Sequence, residues 1–150
     1  KDVGKFLDKF CFGPEPLSKD FSLKKFKELL GKRKKSKIKP LLMDPCFIAG
    51  IGNIYAQEAC YCARILPMRL AGSLDDSEIK KLHNCIVKIL KLAVKHKGTS
   101  AVDYVTVEGK KGTFASQLKV YQRKKDPCGH SLTRTVMGSR GTMYCKICQK

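Results

Sequence analysis

The residues with the clearest chemistry are three cysteines and a histidine near the end of the chain. Cys128 stands two residues before His130, and Cys145 and Cys148 follow as a Cys-x-x-Cys pair. Thiolate and imidazole ligands that converge on one point are typical of tetrahedral zinc. We therefore predict one Zn²⁺, with His130 as the fourth ligand and Asp126 or water as alternatives. Free thiols on a small hairpin are the competing interpretation.

A second set of residues suits phosphate binding. Gly50 and Gly52 lie in the run 49–56, directly before an apolar helical pattern. Glycine lets the backbone turn tightly, free N–H groups at the start of a helix attract anions, and Asn53 adds a neutral donor. A plain tight turn between two helices is the alternative. No Gly-Lys-Ser/Thr follows, which excludes a nucleotide P-loop, and a dinucleotide site would need a third glycine and a preceding strand.

The net charge indicates what kind of molecule would carry the bound phosphate. Lys and Arg number 31 against 13 Asp and Glu, a formal net charge of +18. Nucleic acid is the expected partner of such a polycation, although the basic run 32–39 alone fits solvated surface equally well.

The sequence shows no membrane-binding segment. There is no apolar run of about 20 residues and no basic amphipathic anchor, so no membrane partner is expected. The chain opens on Lys1 with no signal-peptide pattern, and we suspect a fragment boundary there.

Apolar periodicity and turn residues indicate the elements that must position these groups. The pattern predicts a mostly α fold followed by a small β-hairpin that the cysteines bracket. Ser22 is a cap for the first helix and Gly31 its stop, and the helix Ser77–Lys97 has Ile79, Leu82, Ile86, Leu90 and Val94 on one face. The other predicted elements are short helices at Ile38–Met43, Ile54–Ala63 and Phe114–Tyr121, and strands at Leu132–Val136 and Thr142–Tyr144 around Met137-Gly138-Ser139.

The five remaining cysteines follow no ligand spacing. They are scattered among apolar residues, where cysteine behaves as a small hydrophobic side chain. We therefore predict that they are small buried free thiols, whereas the three clustered cysteines suit a metal site in a reducing compartment. The five scattered residues are Cys11, Cys46, Cys60, Cys62 and Cys85.

In the types and the order of its motifs, the chain resembles the C-terminal half of the formamidopyrimidine-DNA glycosylases and endonucleases VIII, a family of base-excision-repair enzymes. The resemblance covers nearly all 150 residues and implies a helix-two-turn-helix DNA-binding domain over 36–122. A linker and first helix (1–35) would precede it, and a zinc-finger hairpin (123–150) would follow. The segments that carry the resemblance are Gly13–Leu17, Ile38–Asp44, Ala49–Glu58, Leu66–Arg69, Gly109–Gly112, Val120–Tyr121 and Arg140–Gln149.

The resemblance also implies roles for single residues. Asn53 would contact a backbone phosphate, Lys39 would approach the lesion nucleotide, and Arg140 would reach the damaged strand. The segment 107–118 would cover an everted oxidised purine. The predicted DNA-binding residues are Lys39, Gly50, Gly52, Asn53, Tyr55, Lys110 and Arg140, and the predicted metal ligands are Cys128, His130, Cys145 and Cys148.

Two features depart from the family pattern. The family's nucleophile is an N-terminal proline, supported by a glutamate and a lysine in a domain that these 150 residues do not contain, so no catalytic residue is assigned in this chain. The first zinc knuckle is also shortened. Cys128 fits the family's first cysteine when counted from Tyr121 but the second when counted back from Cys145.

The expected function is the damaged-DNA-binding portion of a DNA glycosylase and abasic-site lyase that acts on oxidised purines such as 8-oxoguanine and formamidopyrimidines. The chain alone is expected to be inactive. Its expected partners are duplex DNA with oxidised bases or abasic sites and the missing catalytic domain, in the cytoplasm and nucleoid or in a nucleus. A stand-alone, non-enzymatic DNA-binding zinc protein is the alternative. An RNA-binding zinc ribbon suits the charge but does not explain the ordered segments.

Overall fold

A computed structural model describes residues 11–96 and 117–150 of the chain. Within these residues it has four α-helices, a 3₁₀ turn at Ala71–Ser73 and one antiparallel two-stranded sheet. The predicted mostly α fold with a small hairpin is confirmed. The helices are α1 (Leu23–Gly31), α2 (Ile38–Leu42), α3 (Asn53–Cys62) and α4 (Asp76–Lys95), and the strands are β1 (Thr133–Met137) and β2 (Arg140–Tyr144).

Side-chain caps fix where two of the helices begin. Ser22 Oγ accepts the N–H of Lys25 at 3.1 Å, which confirms the predicted start of α1. At the start of α4, Asp75 accepts the N–H of Glu78 at 2.8 Å and donates its own N–H to Glu78 at 3.0 Å. This reciprocal capping box places the start of α4 one residue before the predicted Ser77.

The hydrophobic core lies between the helices. Four of the five residues of α2 are buried, all except Pro40. Helix α3 packs against the buried face of α4. Val94 was predicted on that face but is 69% exposed. None of the described helices is both long enough and apolar enough to cross a membrane. The large apolar side chains that are fully buried in the core are Phe26, Ile38, Leu41, Leu42, Phe47, Ile48, Ile65, Leu82 and Ile86.

The hairpin has a tighter turn than the sequence predicted. Met137 was assigned to the turn, but it pairs with Arg140 at the end of the ladder. The turn consists of Gly138 and Ser139 alone, whose φ angles are +56° and +67°. Two left-handed residues in a two-residue turn match the twist of the flanking strands. Arg140 is therefore the first residue of β2, at the tip of the hairpin.

The helix predicted for Phe114–Tyr121 is not present in its described part, residues 117–121, apart from one 3₁₀ residue at 117. Residues 114–116 lie outside the described residues. The buried carboxylate of Glu58, on α3, accepts the three backbone N–H groups of residues 119–121 at 2.8 to 2.9 Å. This long-range contact holds the segment as a turn that leads towards the hairpin.

Four of the five cysteines predicted to be free thiols form two disulfides. Cys11 is joined to Cys46 and Cys62 to Cys85, with Cα atoms 4.9 and 5.8 Å apart. Cys60 is the one member of the five that is a buried free thiol, as predicted. The prediction was wrong for the others because pairing depends on which distant segments the fold brings together, which spacing alone does not reveal.

Candidate nucleic-acid interface and metal centre

Helix α3 presents polar side chains to the hairpin. Asn53 and Gln57 are four residues apart and share one face of the helix. Their side-chain N–H groups donate to the carbonyl oxygen of Gly141 at 3.3 and 3.2 Å, and the carbonyl oxygen of Gln57 accepts the N–H of Met143 at 2.8 Å. The backbone of β2 is therefore docked on α3. This contact fixes the position of the hairpin tip relative to the start of the helix.

Lys39, on α2, belongs to the same hydrogen-bonded cluster as Asn53, Gln57 and the backbone of Gly141. Its side chain is fully buried and its Nζ donates to Oδ1 of Asn53. Burial and the positive charge of Arg140 lower the pKa of Lys39 to about 8, against an opposing effect of Cys60. An amine with this pKa is still mostly protonated at pH 7. Its hydrogen-bond partner is a neutral amide, so a nearby anion would stabilise the charge.

The start of α3 is formed by the two glycines. Gly50 has a φ of +83°, a left-handed conformation that other residues rarely adopt. Gly52 is the N-cap residue, and no side chain caps this helix. The first N–H groups of an α-helix have no partner within the helix and form a natural anion site. Both glycines border open space, so an anion can approach this site.

A basic cavity of about 440 Å³ lies between α3, the turn after residue 120 and the hairpin. No carboxylate is among the described residues that line it. Its lining is therefore suited to an anion. The cationic side chains are those of Arg123, Lys124, Arg134 and Arg140, and the amides are those of Asn53, Gln57 and Gln122.

Tyr55 was predicted to bind DNA but does not line the basic cavity. Tyr55 lies two residues after Asn53, on the other side of α3. There it lines a mostly apolar cavity of about 460 Å³ together with Leu17 and Leu90, and burial raises its pKa. Lys110 lies outside the described residues, as does most of the segment 107–118.

Four potential metal ligands converge at the base of the hairpin. The ligand atoms of Asp126, His130, Cys145 and Cys148 all lie within 4.8 Å of one another. Nδ1 of His130 is 3.2 Å from the carboxylate of Asp126, 3.7 Å from Sγ of Cys145 and 3.4 Å from Sγ of Cys148. Two thiols, an imidazole and a carboxylate are all ligands that tetrahedral zinc accepts. The donor set fits a structural zinc ion.

Cys128, which was predicted as a ligand, is exposed and does not belong to this cluster. Asp126, considered from the sequence only as a substitute, occupies the fourth position. The reason is a tight turn in which Asp126 accepts the N–H of Gly129 on its carbonyl at 2.9 Å and that of His130 on its carboxylate at 2.8 Å. The turn directs Asp126 and His130 inward and leaves Cys128 outside.

The carboxylate of Asp126 is held as an anion. Burial alone would raise its pKa, but hydrogen bonds from the backbone of His130 and the thiols of Cys145 and Cys148 outweigh burial and hold the pKa of Asp126 below its usual range. Tyr61 on α3 also donates to this carboxylate at 3.2 Å. Hydrogen bonds of this kind orient metal ligands. They also connect the cluster to the helical body.

Sequence reasoning missed four residues that position the two sites. Gln57 and Glu58 are the polar residues in the middle of an otherwise apolar helix, and that contrast was the available signal. Gln149 accepts the N–H of Cys145 at 2.7 Å and donates to the carbonyl of Ile65 at 2.8 Å, so it ties the metal cluster to the helical body. Nothing in its spacing indicated this role. Arg134 was not singled out because strand register decides which cavity it lines.

The chain matches the family model for the formamidopyrimidine-DNA glycosylase H2TH domain over residues 12–104. The formamidopyrimidine-DNA glycosylase of Heliobacterium modesticaldum is 49% identical over 141 residues, which are 92% of this chain and 50% of the relative. That of Desulforamulus reducens is 45% identical over the same shares. The chain thus spans about half the length of these curated relatives.

Solved structures agree with the sequence match. The crystal structure of the MutM (Fpg) protein from Thermus thermophilus has a TM-score of 0.88 at 36% identity, over 99% of this chain and 57% of that one. Lactococcus lactis Fpg in complex with DNA containing an abasic site has a TM-score of 0.85 at 37% identity, over 99% and 55%. The matched part of the relatives is their C-terminal half. The chain therefore belongs to the formamidopyrimidine-DNA glycosylase family and contains its H2TH domain.

Proposed function

We propose that this chain is the damaged-DNA-binding portion of a DNA glycosylase and abasic-site lyase that acts on oxidised purines such as 8-oxoguanine and formamidopyrimidines. The observation that carries the proposal is the convergence of Lys39, Asn53 and Arg140 beside the uncapped start of α3. The solved complexes of Lactococcus lactis Fpg with abasic-site DNA and with DNA containing Fapy-dG support this substrate class.

In this proposal the start of α3 and the tip of the hairpin both bind the backbone of one duplex. The N–H groups at the start of α3, with Asn53, hold a phosphate, and Lys39 supplies a buried positive charge behind it. Arg140 contacts the damaged strand from the hairpin tip. Phosphate contacts fix the register of a protein on DNA without reading its sequence. That property suits a repair protein, because lesions arise in every sequence context.

A zinc ion held by Asp126, His130, Cys145 and Cys148 would stabilise the hairpin. The apolar cluster at this end of the molecule is small, with Tyr61, Val120 and Cys145 as its buried members. So small a module gains much of its folding free energy from the metal. The zinc is structural in this proposal: it keeps β2 on α3 and Arg140 at the interface. The boundaries 1–35, 36–122 and 123–150 remain part of the proposal.

The 150 residues by themselves bind DNA but do not cleave it, because the family's proline nucleophile does not correspond to any residue of this chain. The partners are then a damaged duplex and the catalytic half of the enzyme, inside the cell. A borohydride trap for a Schiff base on abasic DNA should accordingly yield no covalent adduct with the isolated chain. A trapped adduct would contradict this part of the proposal.

The binding claim is tested by fluorescence anisotropy with an abasic-site duplex and a matched undamaged duplex over a series of salt concentrations. We expect binding whose logarithm falls linearly with the logarithm of the salt concentration. Asn53→Ala should weaken binding to both duplexes, since a phosphate contact is independent of the lesion. A chain that binds neither duplex at low salt would defeat the proposal. Equal affinity for the two duplexes would favour a general DNA-binding protein.

A further inference from the structure

Two disulfides lie at the two ends of the unit formed by α3 and the turn before it. Cys11–Cys46 joins the segment before α1 to the turn that precedes α3. Cys62–Cys85 joins the last residue of α3 to α4. Their Cα separations of 4.9 and 5.8 Å lie in the range that a disulfide requires. None of these four residues belongs to the proposed DNA contacts or to the metal cluster.

The two pairs differ in their access to solvent. Cys11 and Cys46 are both exposed, whereas Cys62 is half-buried and Cys85 is only 8% exposed. Thiol–disulfide exchange requires the attacking thiolate to reach a sulfur atom, so its rate depends on access. Small thiols and small disulfides can reach the exposed pair far more easily than the buried one.

The exposed pair lies where a covalent link restrains the turn before α3. Two backbone hydrogen bonds run beside it, from the N–H of Gly13 to the carbonyl of Pro45 at 2.7 Å and from the N–H of Ala49 to that of Pro14 at 3.1 Å. The link spans a sequence separation of 35 residues. It therefore fastens the segment before α1 onto the turn whose far end is the glycine-rich start of α3.

We propose that Cys11 and Cys46 form a reversible oxidation site, whereas Cys62–Cys85 is a stable structural disulfide. A low-molecular-weight disulfide such as oxidised glutathione closes the Cys11–Cys46 disulfide, and a small thiol opens it. In closing, one cysteine thiolate attacks a sulfur of the small disulfide and releases one thiol. The other cysteine thiolate then attacks the mixed disulfide and releases the second. Two protein thiols are oxidised, one small disulfide is reduced, and both protons end on the released thiols.

The order in which the links open tests the inference without DNA. The zinc-loaded chain is oxidised with glutathione disulfide and titrated with reduced glutathione, free thiols are alkylated at each step, and peptides are mapped by mass spectrometry. The linked Cys11–Cys46 peptide should disappear before the Cys62–Cys85 peptide. Simultaneous or reversed loss, or no Cys11–Cys46 peptide at all, would overturn the inference. Cys128→Ser is the matched control, because Cys128 is exposed but unpaired and both links should persist without it.

Opening the exposed link should also change stability and binding. Tm should fall by roughly 5–10 °C, because the denatured chain regains conformational freedom. Affinity for abasic-site DNA should fall about two- to fivefold as the turn loses its pre-organisation, an effect that rests on the proposed function.

The double variant Cys11→Ser/Cys46→Ser cannot form the exposed link. It should therefore show the lower Tm and the lower DNA affinity under both oxidising and reducing conditions. A redox-dependent Tm shift of equal size in that variant would contradict the assignment. If the chain binds no DNA in either state, the proposed function is wrong, and the opening order and the Tm shift still decide this inference.

Discussion

The helical body and the hairpin hold their functional residues by different means. Asn53 and Lys39 are positioned by elements that pack on a continuous apolar core, with Phe26 and Leu42 fully buried in it. Arg140 stands on a hairpin with few buried apolar residues, which two side chains of α3 and a four-residue ligand cluster hold in place. In the proposed function, the phosphate site at the start of α3 is therefore built into the fold, whereas the contact made by the hairpin depends on a metal held by the four-residue cluster.

The largest effect expected is on the core of the helical body. Phe26→Ala should lower the free energy of unfolding by about 3–5 kcal/mol, because a fully buried ring is removed and a cavity remains. Urea denaturation followed by circular dichroism measures this. Phe12→Ala is the control, since Phe12 is 72% exposed and its removal should change stability by less than about 0.5 kcal/mol. Equal losses in the two variants would show that the core does not hold the body.

Loss of the metal should affect the hairpin and spare the body. Cys148→Ser, or removal of zinc by a chelator, should weaken binding to abasic-site DNA by about 10- to 100-fold while the helical circular dichroism signal persists. Zinc content by mass spectrometry and anisotropy together measure this.

Cys128→Ser is the matched control for the ligand set, because it removes an exposed thiol close in sequence to the cluster. It should retain full zinc content and affinity. A loss of zinc in that variant would return Cys128 to the ligand set, and unfolding of the helices on chelation would remove the distinction between the two regions.

A smaller effect is expected where the two regions meet. Gln57→Ala removes the hydrogen bonds to Gly141 and Met143, so the hairpin should loosen on α3 at a cost of about 1–3 kcal/mol in stability. Hydrogen exchange of the β2 amides should rise more than exchange in α4. Asn84→Ala, which removes an exposed amide on α4, should leave both rates unchanged. Uniform exchange changes across the protein would argue against a local role for Gln57.

The smallest effect is a pH dependence carried by Lys39. Its pKa of about 8 in the folded protein lies below the unfolded value of about 10.4. Between these values the unfolded chain binds more protons, so this residue makes the free energy of unfolding rise with pH. Affinity for DNA should move the opposite way and weaken several-fold between pH 7 and pH 9, because a phosphate prefers the charged amine.

Anisotropy titrations across this pH range measure the effect, with Lys39→Met as the control. The variant should bind more weakly at pH 7 and lose less affinity as the pH rises. An identical pH profile in the two proteins would show that the amine of Lys39 does not contribute its charge to DNA binding.

The helical body was largely predictable from the sequence, and the cluster of potential metal ligands was predictable only in part. The Ser22 cap and the apolar spacing along α4 are local signals, and both placed their helices within one or two residues at the start and end. The presence of Asp126 rather than Cys128 in the cluster depends on the hydrogen bonds within one turn. The Glu58 contact with residues 119–121 and the two disulfides join segments far apart in sequence, which no local pattern encodes.

The central claim, that the metal positions the hairpin for DNA, is tested most directly by one double comparison. The dissociation constant for an abasic-site duplex is measured for wild type and Arg140→Ala, each with zinc and after zinc removal. The account predicts that Arg140→Ala weakens binding about tenfold with zinc and has almost no effect without it, because the arginine and the metal then act as one unit. An equal loss in both states, or no loss in either, would contradict the account.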